Sequence, residues 1–316
     1  MKPLTVFACL ALAACTVGPA AADDTTPRAQ GSVHVSRATR AIIVSPHPDD
    51  GVLGAGGLIQ RIVARGGSVQ IIEMTSGDAF PKGVAAVRRV ASPPTADAYR
   101  WYGTVREREV VRAMKALGVA RSRVRLLGFP DEGLCQLADA HGANTVFASP
   151  YTRRDSPPAP EKMLADAKYR GADARQELEN LFVAFRPNLI VTPDGHDEHP
   201  DHCATRLLVH DAIAGATSRG IRPPTVLHYL IHYRDWPADP THFPAQDAFK
   251  TLRLTDGERA RKREAVHAYR TQMSVMAAFM TAFDTPDERF IVGQHEAPAA
   301  CWCAGTNIAP PPVNSR

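Results

Sequence analysis

The sequence has little that points to a membrane or a nucleic-acid partner. After its first 22 residues, no apolar run is long enough to cross a bilayer as a helix, which excludes a transmembrane segment there. There is no block of lysines and arginines, and the formal net charge is only +4 over 316 residues. Charge therefore supplies no argument for binding DNA or RNA. Internal repeats and long low-complexity tracts are also absent, and the length suits one large α/β domain.

The N-terminus has the pattern of a secretory signal peptide. Met1-Lys2 is positively charged, and a short apolar run and then small residues follow it. We therefore predict a signal peptide over residues 1–22 and a single domain over residues 23–316 that is secreted or periplasmic. A second interpretation stays open, because Leu12-Ala13-Ala14-Cys15 resembles the lipobox of bacterial lipoproteins and predicts a lipid anchor at Cys15.

Four cysteines remain after the predicted signal peptide, namely Cys135, Cys203, Cys301 and Cys303. An oxidising compartment permits disulfides, and four cysteines allow three complete pairings. The sequence does not choose among these pairings. Since Cys301 and Cys303 are close together in the chain, we predict that each pairs elsewhere or stays free, with Cys135 bonded to one of them.

Short apolar runs alternate with helical patterns along the chain. The run Ala41-Ile42-Ile43-Val44 ends at a proline turn and predicts a buried parallel strand. The other predicted strands cover residues 68–74, 124–127, 189–191 and 225–230. Helical spacing of apolar residues lies between them, and Thr255-Asp256-Gly257-Glu258 matches a capping box that begins a late helix. This alternation predicts an α/β fold with a Rossmann-like, mostly parallel sheet and helices on both faces.

Two stretches, residues 79–104 and 136–170, interrupt the alternation. They are rich in Ala, Pro, Ser, Tyr and Arg, and we predict loops there. Long loops in a compact domain are often lids or substrate walls, with a solvated surface insertion as the equal alternative. Arg153 and Arg154 in the second stretch are candidates to meet an anionic substrate, although a solvated loop is the default interpretation.

Two clusters of histidine and aspartate carry the chemistry. His47-Pro48-Asp49-Asp50 directly follows the first predicted strand, and His199-Pro200-Asp201-His202 follows the predicted strand at 189–191. Ligands of open α/β sheets bind outside the carboxyl ends of the strands, so we expect both clusters in one crevice. Imidazole and carboxylate are good Zn²⁺ ligands, and three protein ligands with an open position are typical of catalytic zinc. The first cluster alone is also compatible with an Asp helix cap beside a surface His.

The same motifs resemble a known family. The strand–SPHPDD–helix unit, followed by Leu53-Gly54-Ala55-Gly56-Gly57, and the distant HPDH are similar to the PIG-L/LmbE-like zinc-dependent N-acetylglucosaminyl deacetylases. Individually weaker matches follow in the expected order, at Thr75-Ser76-Gly77-Asp78, Arg106-x-x-Glu109, Gly128-Phe129-Pro130-Asp131, Lys262, Tyr269 and Gln272. The resemblance covers residues 40–292 and implies a site at the carboxyl ends of the strands.

The resemblance also implies roles for particular residues. The implied zinc ligands are His47, Asp50 and His202. The implied catalytic groups are Asp49 as general base, His199 as the group that stabilises the oxyanion or protonates the leaving amine, and Asp201 as the group that orients His199. Arg106 and Asp131 are implied to contact the sugar or its substituent.

This sequence departs from the family pattern at two positions. The family usually has Glu after the paired aspartates, where this chain has Gly51, so any role of that Glu is absent. Some members have a mobile Tyr two positions before the first His of HPDH, where this chain has Asp197. The role of that Tyr in stabilising the oxyanion must then belong to His199 or another group.

The resemblance implies a Zn²⁺-dependent hydrolase that removes N-acetyl groups from an N-acetylglucosamine-type sugar or glycoconjugate, and the signal-peptide pattern predicts that it is exported. Two alternatives stay open: a zinc amidase on a thiol conjugate or an acylated antibiotic, and a non-catalytic carbohydrate-binding protein. Asp49 argues against the binding protein, because such a module needs no general base. A site of two histidines and one aspartate also tolerates Fe²⁺, Co²⁺ or Mn²⁺, so the sequence does not choose the metal.

Overall fold

The computed structural model describes residues 31–90, 93–139, 143–158, 164–244 and 248–292. The predicted signal peptide, the lipobox, Cys301 and Cys303 lie outside these ranges, so what we inferred from them stays a prediction. Cys135 and Cys203 are both disulfide-bonded, so neither offers the free thiolate that binding a metal requires. No helix within the described ranges is both long and apolar enough to span a bilayer.

One sheet of eight strands organises the described chain, in the order β1-β7-β8-β6-β5-β2-β3-β4. The strands are β1 Gly31–Ser32, β2 Arg40–Ser45, β3 Ser68–Thr75, β4 Val124–Phe129, β5 Leu189–Pro193, β6 Thr225–Tyr229, β7 Phe249–Arg253 and β8 Asp287–Val292. The α-helices of these ranges are α1 Asp50–Ala64, α2 Pro81–Arg88, α3 Ala96–Ala116, α4 Leu134–Ala138, α5 Gly171–Phe185, α6 Pro200–Ser218, α7 Asp256–His267 and α8 Arg270–Ala282.

The five strands from β2 to β6 form the parallel centre of the sheet. The chain moves outward from β2 through β3 to β4, and then crosses to β5 and β6 on the other side of β2. This reversal leaves a crevice between the carboxyl ends of β2 and β5, which is where ligands bind in such sheets. The predicted mostly parallel sheet is confirmed, and both His/Asp clusters begin at this crevice.

The burial of β2 explains its uninterrupted apolar run. Ile42 and Val44 belong to the core that packs against α5 and α6, whereas Ile43 belongs to the core on the opposite face with α1 and α3. Successive side chains of a strand point to opposite faces, so a strand covered on both sides must be apolar at every position. The burial places helices on both faces of the sheet, as the sequence predicts.

The antiparallel end of the sheet is absent from the sequence prediction. Strand β8 runs antiparallel to both β6 and β7, and β1 pairs in parallel with β7 at the edge. Charged residues occupy several positions of β7 and β8, which are Lys250, Arg253, Asp287, Glu288 and Arg289. A short strand with one partly solvated face shows no continuous apolar run, so its pattern is weak.

The prediction of a loop over residues 79–104 is wrong. That stretch contains all of α2 and the beginning of α3. Pro81 is the first residue of α2, a position where its missing N–H costs nothing, and the Thr95 side chain accepts a hydrogen bond from the Ala98 N–H at 3.3 Å. Pro81 and Thr95 therefore mark the starts of two helices. The second predicted loop, residues 136–170, is wrong at its start, because α4 extends to Ala138; the described part of residues 139–170 has no helix or strand. The capping box of Thr255 and Glu258 is confirmed.

Candidate active site

The turn between β2 and α1 directs the first cluster into the crevice. The Thr75 N–H and hydroxyl both donate to the Pro46 carbonyl, at 3.1 and 2.8 Å, which ties the turn to β3. From the other side, the Tyr269 hydroxyl donates to the Pro48 carbonyl at 2.7 Å. These bonds are buried, where a carbonyl without a hydrogen-bond partner would be costly. The turn that carries His47 is consequently held by groups from β3 and from the segment before α8.

Crowding explains why the chain has glycine after the paired aspartates. A Cβ atom added to Gly51 would lie 2.5 Å from the Ser45 Oγ and 3.5 Å from the Ile43 side chain. The first of these distances is far below van der Waals contact. The Glu that the family usually has at this position therefore cannot be accommodated while the Ser45 hydroxyl keeps its place.

Three side chains of the two clusters converge in the arrangement that a metal ion needs. The His47 Nδ1 lies 3.0 Å from the Asp50 Oδ2, and the His202 Nε2 lies 3.1 Å from the same oxygen and 3.3 Å from the His47 Nδ1. Tetrahedral zinc with bonds of about 2.0–2.1 Å separates neighbouring ligand atoms by about 3.3 Å. The donor types and their separations therefore fit Zn²⁺, with the fourth position of the tetrahedron left for water or substrate.

The electrostatics of this cluster also favour a cation. Burial alone would lower the pKa of His47, but Asp50, Asp131 and Asp201 raise it well above its ordinary value. Burial would likewise raise the pKa of Asp50, but His202 and His47 hold it well below its ordinary value. Carboxylates thus outnumber imidazoles around His47, and a divalent cation would balance that charge.

His202 is supported from behind by Asp197, which the sequence analysis did not assign to the site. The Asp197 Oδ2 lies 2.9 Å from the His202 Nδ1, and both side chains are fully buried. The same carboxylate accepts backbone hydrogen bonds from Ile231 and His232 at 2.9 and 3.1 Å, and from His199 at 3.1 Å. A carboxylate on the far nitrogen of a ligating histidine fixes its tautomer and strengthens the ligand. Asp197, which stands where some members of the family have Tyr, therefore positions a candidate metal ligand.

The second nitrogen of His47 faces two further carboxylates. Its Nε2 lies 3.2 Å from the Asp131 Oδ1 and 3.6 Å from the Asp201 Oδ2. The other Asp131 oxygen accepts the Ala79 N–H. In the structure Asp131 therefore contacts the His47 ring. Its contact with the sugar stays a prediction.

The implied role of Asp201 needs correction, because this residue contacts His199 through its backbone N–H and not through its carboxylate. Its carboxylate accepts the Glu132 and Leu134 N–H groups at 2.7 and 3.0 Å, and so holds the turn after β4 instead of the His199 ring. The contact with His199 comes from the backbone: the Asp201 N–H donates to the His199 Nδ1 at 3.2 Å, because His199 caps α6. Nδ1 is therefore the acceptor, and the Nε2–H of His199 is left as a donor.

Asp49 is held by Arg106 in a buried ion pair. The Arg106 guanidinium donates to the Asp49 Oδ1 at 2.6 Å and to the Gly77 carbonyl at 2.7 Å, and the Gln272 amide oxygen accepts from it at 2.9 Å. Burial raises the pKa of Asp49 despite the opposing effect of Arg106. A carboxylate with a raised pKa, fixed next to the ligand Asp50, is suited to accept a proton. Arg106 positions this group, and its predicted contact with substrate stays a prediction.

A pocket of about 150 Å³ opens over these groups. Six of the predicted residues line it, namely His47, Asp49, Asp50, Arg106, Asp131 and His199. His202 is fully buried beneath it.

The walls that the sequence did not predict include His232, Met276 and Phe279. His232 stacks on Phe279 with ring centroids 5.1 Å apart, and burial is the main cause that lowers its pKa to about 3. His232 therefore lines the pocket as a neutral side chain. In the sequence it is a lone histidine after the predicted strand at 225–230, outside both His/Asp clusters.

Comparison with known proteins identifies relatives of both sequence and fold. A 1D-myo-inositol 2-acetamido-2-deoxy-alpha-D-glucopyranoside deacetylase from Mycobacterium sp. (strain KMS) is 30% identical over 179 residues, which are 56% of this chain and 51% of that protein. The chain thus spans about half the length of the curated relatives it matches.

Solved structures share the fold. The N,N'-diacetylchitobiose deacetylase of Pyrococcus horikoshii has a TM-score of 0.51 at 18% identity, over 83% of this chain and 87% of that chain. The 4-carboxy-2-hydroxymuconate hydratase of Pseudomonas putida KT2440 also has a TM-score of 0.51, at 19% identity, over 78% and 82%. Identities this low establish the fold alone, and these two proteins catalyse different reactions.

The family assignment rests on the sequence that contains both clusters. A sequence model of the family described as GlcNAc-PI de-N-acetylase (PIG-L) matches residues 42–213, more than half of the chain. The matched region begins in β2, just before His47, and ends within α6, which carries His202. With the site geometry and the shared fold, this match shows that the chain belongs to the PIG-L family.

Proposed function

We propose that this protein is a zinc-dependent deacetylase that removes the N-acetyl group from an N-acetylglucosamine-type sugar. The observation that carries the proposal is the ligand triangle of His47, Asp50 and His202, with edges of 3.0–3.3 Å, next to the buried Asp49. Three ligands with one open position are the catalytic arrangement of zinc, whereas a structural zinc site has four protein ligands. The names of the matched relatives supply the substrate class.

The residues divide the hydrolysis of an acetamide among themselves. Zinc held by His47, Asp50 and His202 would activate a water molecule and polarise the acetyl carbonyl. Asp49, kept in place by Arg106, accepts a proton from the attacking water. The Nε2–H of His199 donates a hydrogen bond to the carbonyl oxygen as negative charge develops there. Cleavage of the C–N bond then leaves acetate and the free amine, which takes up the proton.

The walls of the pocket suit one face of a sugar ring. Phe279 and Met276 offer apolar surface, whereas His199, Glu132 and Asp131 offer polar groups on other sides. Sugars present apolar C–H faces and polar hydroxyl edges, so a pocket with both kinds of wall can orient the ring. The small volume favours a single N-acetylated residue at the reacting position, with any further part of the glycan outside it.

The proposal is tested by acetate release. We expect the zinc-loaded protein to release acetate from N,N'-diacetylchitobiose or from N-acetylglucosaminyl-inositol, to stop after treatment with a chelator, and to recover when zinc is restored. Release only from an acylated antibiotic or a thiol conjugate would show the alternative amidase. No release from any amide, despite one bound zinc per chain, would show a binding protein.

We also propose export, from the signal-peptide pattern of residues 1–22. Mass spectrometry of the protein from a bacterial host distinguishes the two routes. Cleavage after Ala22 supports a soluble secreted or periplasmic form, and a lipid-modified N-terminal Cys15 supports an anchored form. An intact Met1 in the fully processed protein contradicts both.

A further inference from the structure

A second and larger cavity lies beside the catalytic pocket. Its volume is about 620 Å³, against about 150 Å³ for the pocket over the metal ligands. The two share a wall: Asp78 lines the larger cavity and the next residue, Ala79, lines the pocket. The same division occurs on α3, where Arg106 faces the pocket and Glu107 faces the cavity. The cavity and the pocket are therefore adjacent in the structure.

The lining of this cavity is strongly basic. Four guanidinium groups contribute to it, those of Arg100, Arg108, Arg121 and Arg154. The only carboxyl groups that line it in the described part of the chain are those of Asp78 and Glu107. A concave surface with one sign of charge concentrates the electric field and attracts ligands of the opposite sign.

The two carboxyl groups offset only part of the positive charge. Glu107 is already the acceptor of the Ser76 hydroxyl, at 2.6 Å. Burial, followed by the neighbouring Asp131, raises the pKa of Asp78 to about 8. The raised pKa favours the neutral form of Asp78, and the four arginines outnumber the two carboxyl groups of the lining.

Two of the arginines are available for a ligand. Arg100 pairs with Asp97 and donates to the Thr152 carbonyl, and Arg121 donates to the Val124 carbonyl at 2.8 Å. In contrast, among the residues that the structure describes, no carboxylate lies within 4.0 Å of the guanidinium of Arg108 or Arg154. Arg108 is on α3 and Arg154 is on the loop after Tyr151, so they approach the cavity from two different elements.

We propose that this cavity is an oxyanion-binding subsite, in which Arg108 and Arg154 bind a phosphate, sulfate or carboxylate group attached to the amino-sugar substrate. The inference rests on the proposed function and extends it from a neutral sugar to an anionic saccharide. Guanidinium is planar and presents paired N–H donors that match the oxygens of such groups. The volume lies in the range of small-molecule sites, and the apolar side chains of Val111, Leu126 and Pro158 complete the lining.

The proposal is tested with matched substrates. The ratio of kcat/KM for a 6-O-sulfated or 6-O-phosphorylated N,N'-diacetylchitobiose to that for the neutral disaccharide is measured for three proteins. We expect the wild type to prefer the charged substrate by about tenfold, the effect of one charge-assisted hydrogen bond. Arg108→Gln/Arg154→Gln should lose this preference. The control Arg222→Gln/Arg261→Gln, which removes two exposed arginines outside the cavity lining, should keep it.

A binding measurement separates the subsite from the catalytic proposal. Inorganic sulfate is titrated into the wild type and both double variants at equal zinc content, with Arg108→Gln alone as a milder change at an exposed position. Weaker sulfate binding in the cavity variants but not in the control supports the subsite even if no acetate is released. Equal sulfate binding by all proteins, together with no preference for the charged disaccharide, overturns it.

Discussion

The Asp197 carboxylate lies 2.9 Å from the Nδ1 of His202, and neither side chain is exposed to solvent. This pairing accounts for the departure from the family pattern at the position of the mobile Tyr. Asp197 joins His202, a predicted metal ligand, to the backbone of Ile231 and His232. At this position the chain therefore has a buried carboxylate that orients the His202 ring.

Replacing Asp197 should weaken metal binding. We expect Asp197→Asn to lower the affinity for Zn²⁺ by about 10–100-fold, because the His202 ring loses the carboxylate that orients it. Competition with a chromophoric chelator measures the affinity, and thermal unfolding shows whether the fold is kept. The control is Asp211→Asn, an exposed aspartate on the same helix as His202. Equal Zn²⁺ affinity of Asp197→Asn and the control would contradict the role of Asp197.

The ion pair of Arg106 with Asp49 should be important for stability as well as for activity. Arg106→Gln leaves a buried Asp49 without its charged partner, so we expect the free energy of unfolding to fall by about 3–5 kcal/mol. Urea unfolding measures the change. In Arg106→Gln/Asp49→Asn no charge is left unpaired, and the double variant should recover much of the stability while staying inactive. Additive losses in the double variant would show that the two residues are not coupled.

His199 both caps α6 and faces the pocket, and two substitutions separate these functions. Asn is a good N-cap residue, so His199→Asn should keep the helix start, whereas His199→Ala should lose about 1 kcal/mol of stability. Both remove the Nε2–H donor, so we expect kcat to fall by about 10²–10³-fold in each, at unchanged zinc content. Full activity of His199→Asn would show that the donor has no part in the reaction.

Gly51 should resist substitution because of Ser45. The Cβ of Gly51→Ala would lie 2.5 Å from the Ser45 hydroxyl oxygen, and overpacking of this kind costs about 1–3 kcal/mol. That exceeds the ~0.5–1 kcal/mol by which Ala is preferred to Gly inside a helix. Ser45→Ala/Gly51→Ala removes the hydroxyl and should restore the free energy of unfolding, as measured in urea. No difference between the single and the double variant would contradict the clash.

Acid should weaken the contact between α1 and α7. The side-chain hydrogen bond from Arg61 lowers the pKa of Glu258 from its ordinary value of 4.5 to about 2. Because the pKa is lowered in the folded state, the stabilisation is complete above pH 4.5 and is lost as the pH falls toward 2. Glu258→Gln keeps the capping box with Thr255 but removes the charge. The difference in unfolding free energy between wild type and Glu258→Gln should shrink across this range, and a constant difference would contradict the prediction.

The sequence by itself determined the features that are contiguous in the chain. The apolar run of β2, the turn that carries His47 and the helix after it form one unit, so their order could be read directly. The capping box of Thr255 and Glu258 is equally local. Because parallel strands end at one edge of the sheet, the convergence of His47 and His202 also followed, although 155 residues separate them.

Only the tertiary structure decided the partners behind the site. The Arg106 guanidinium donates to Asp49, which is 57 residues away in the chain, and the Asp197 carboxylate accepts from a loop 34 residues away. Contacts between such distant residues leave no periodic pattern in the sequence. The Asp201 carboxylate bonds to the turn after β4, because α6 passes close to it there. A side chain's residue type shows which chemistry it can perform, but the packing of distant elements selects the atom that it meets. For this reason the convergence of His47, Asp50 and His202 could be predicted from sequence, and the groups that orient them could not.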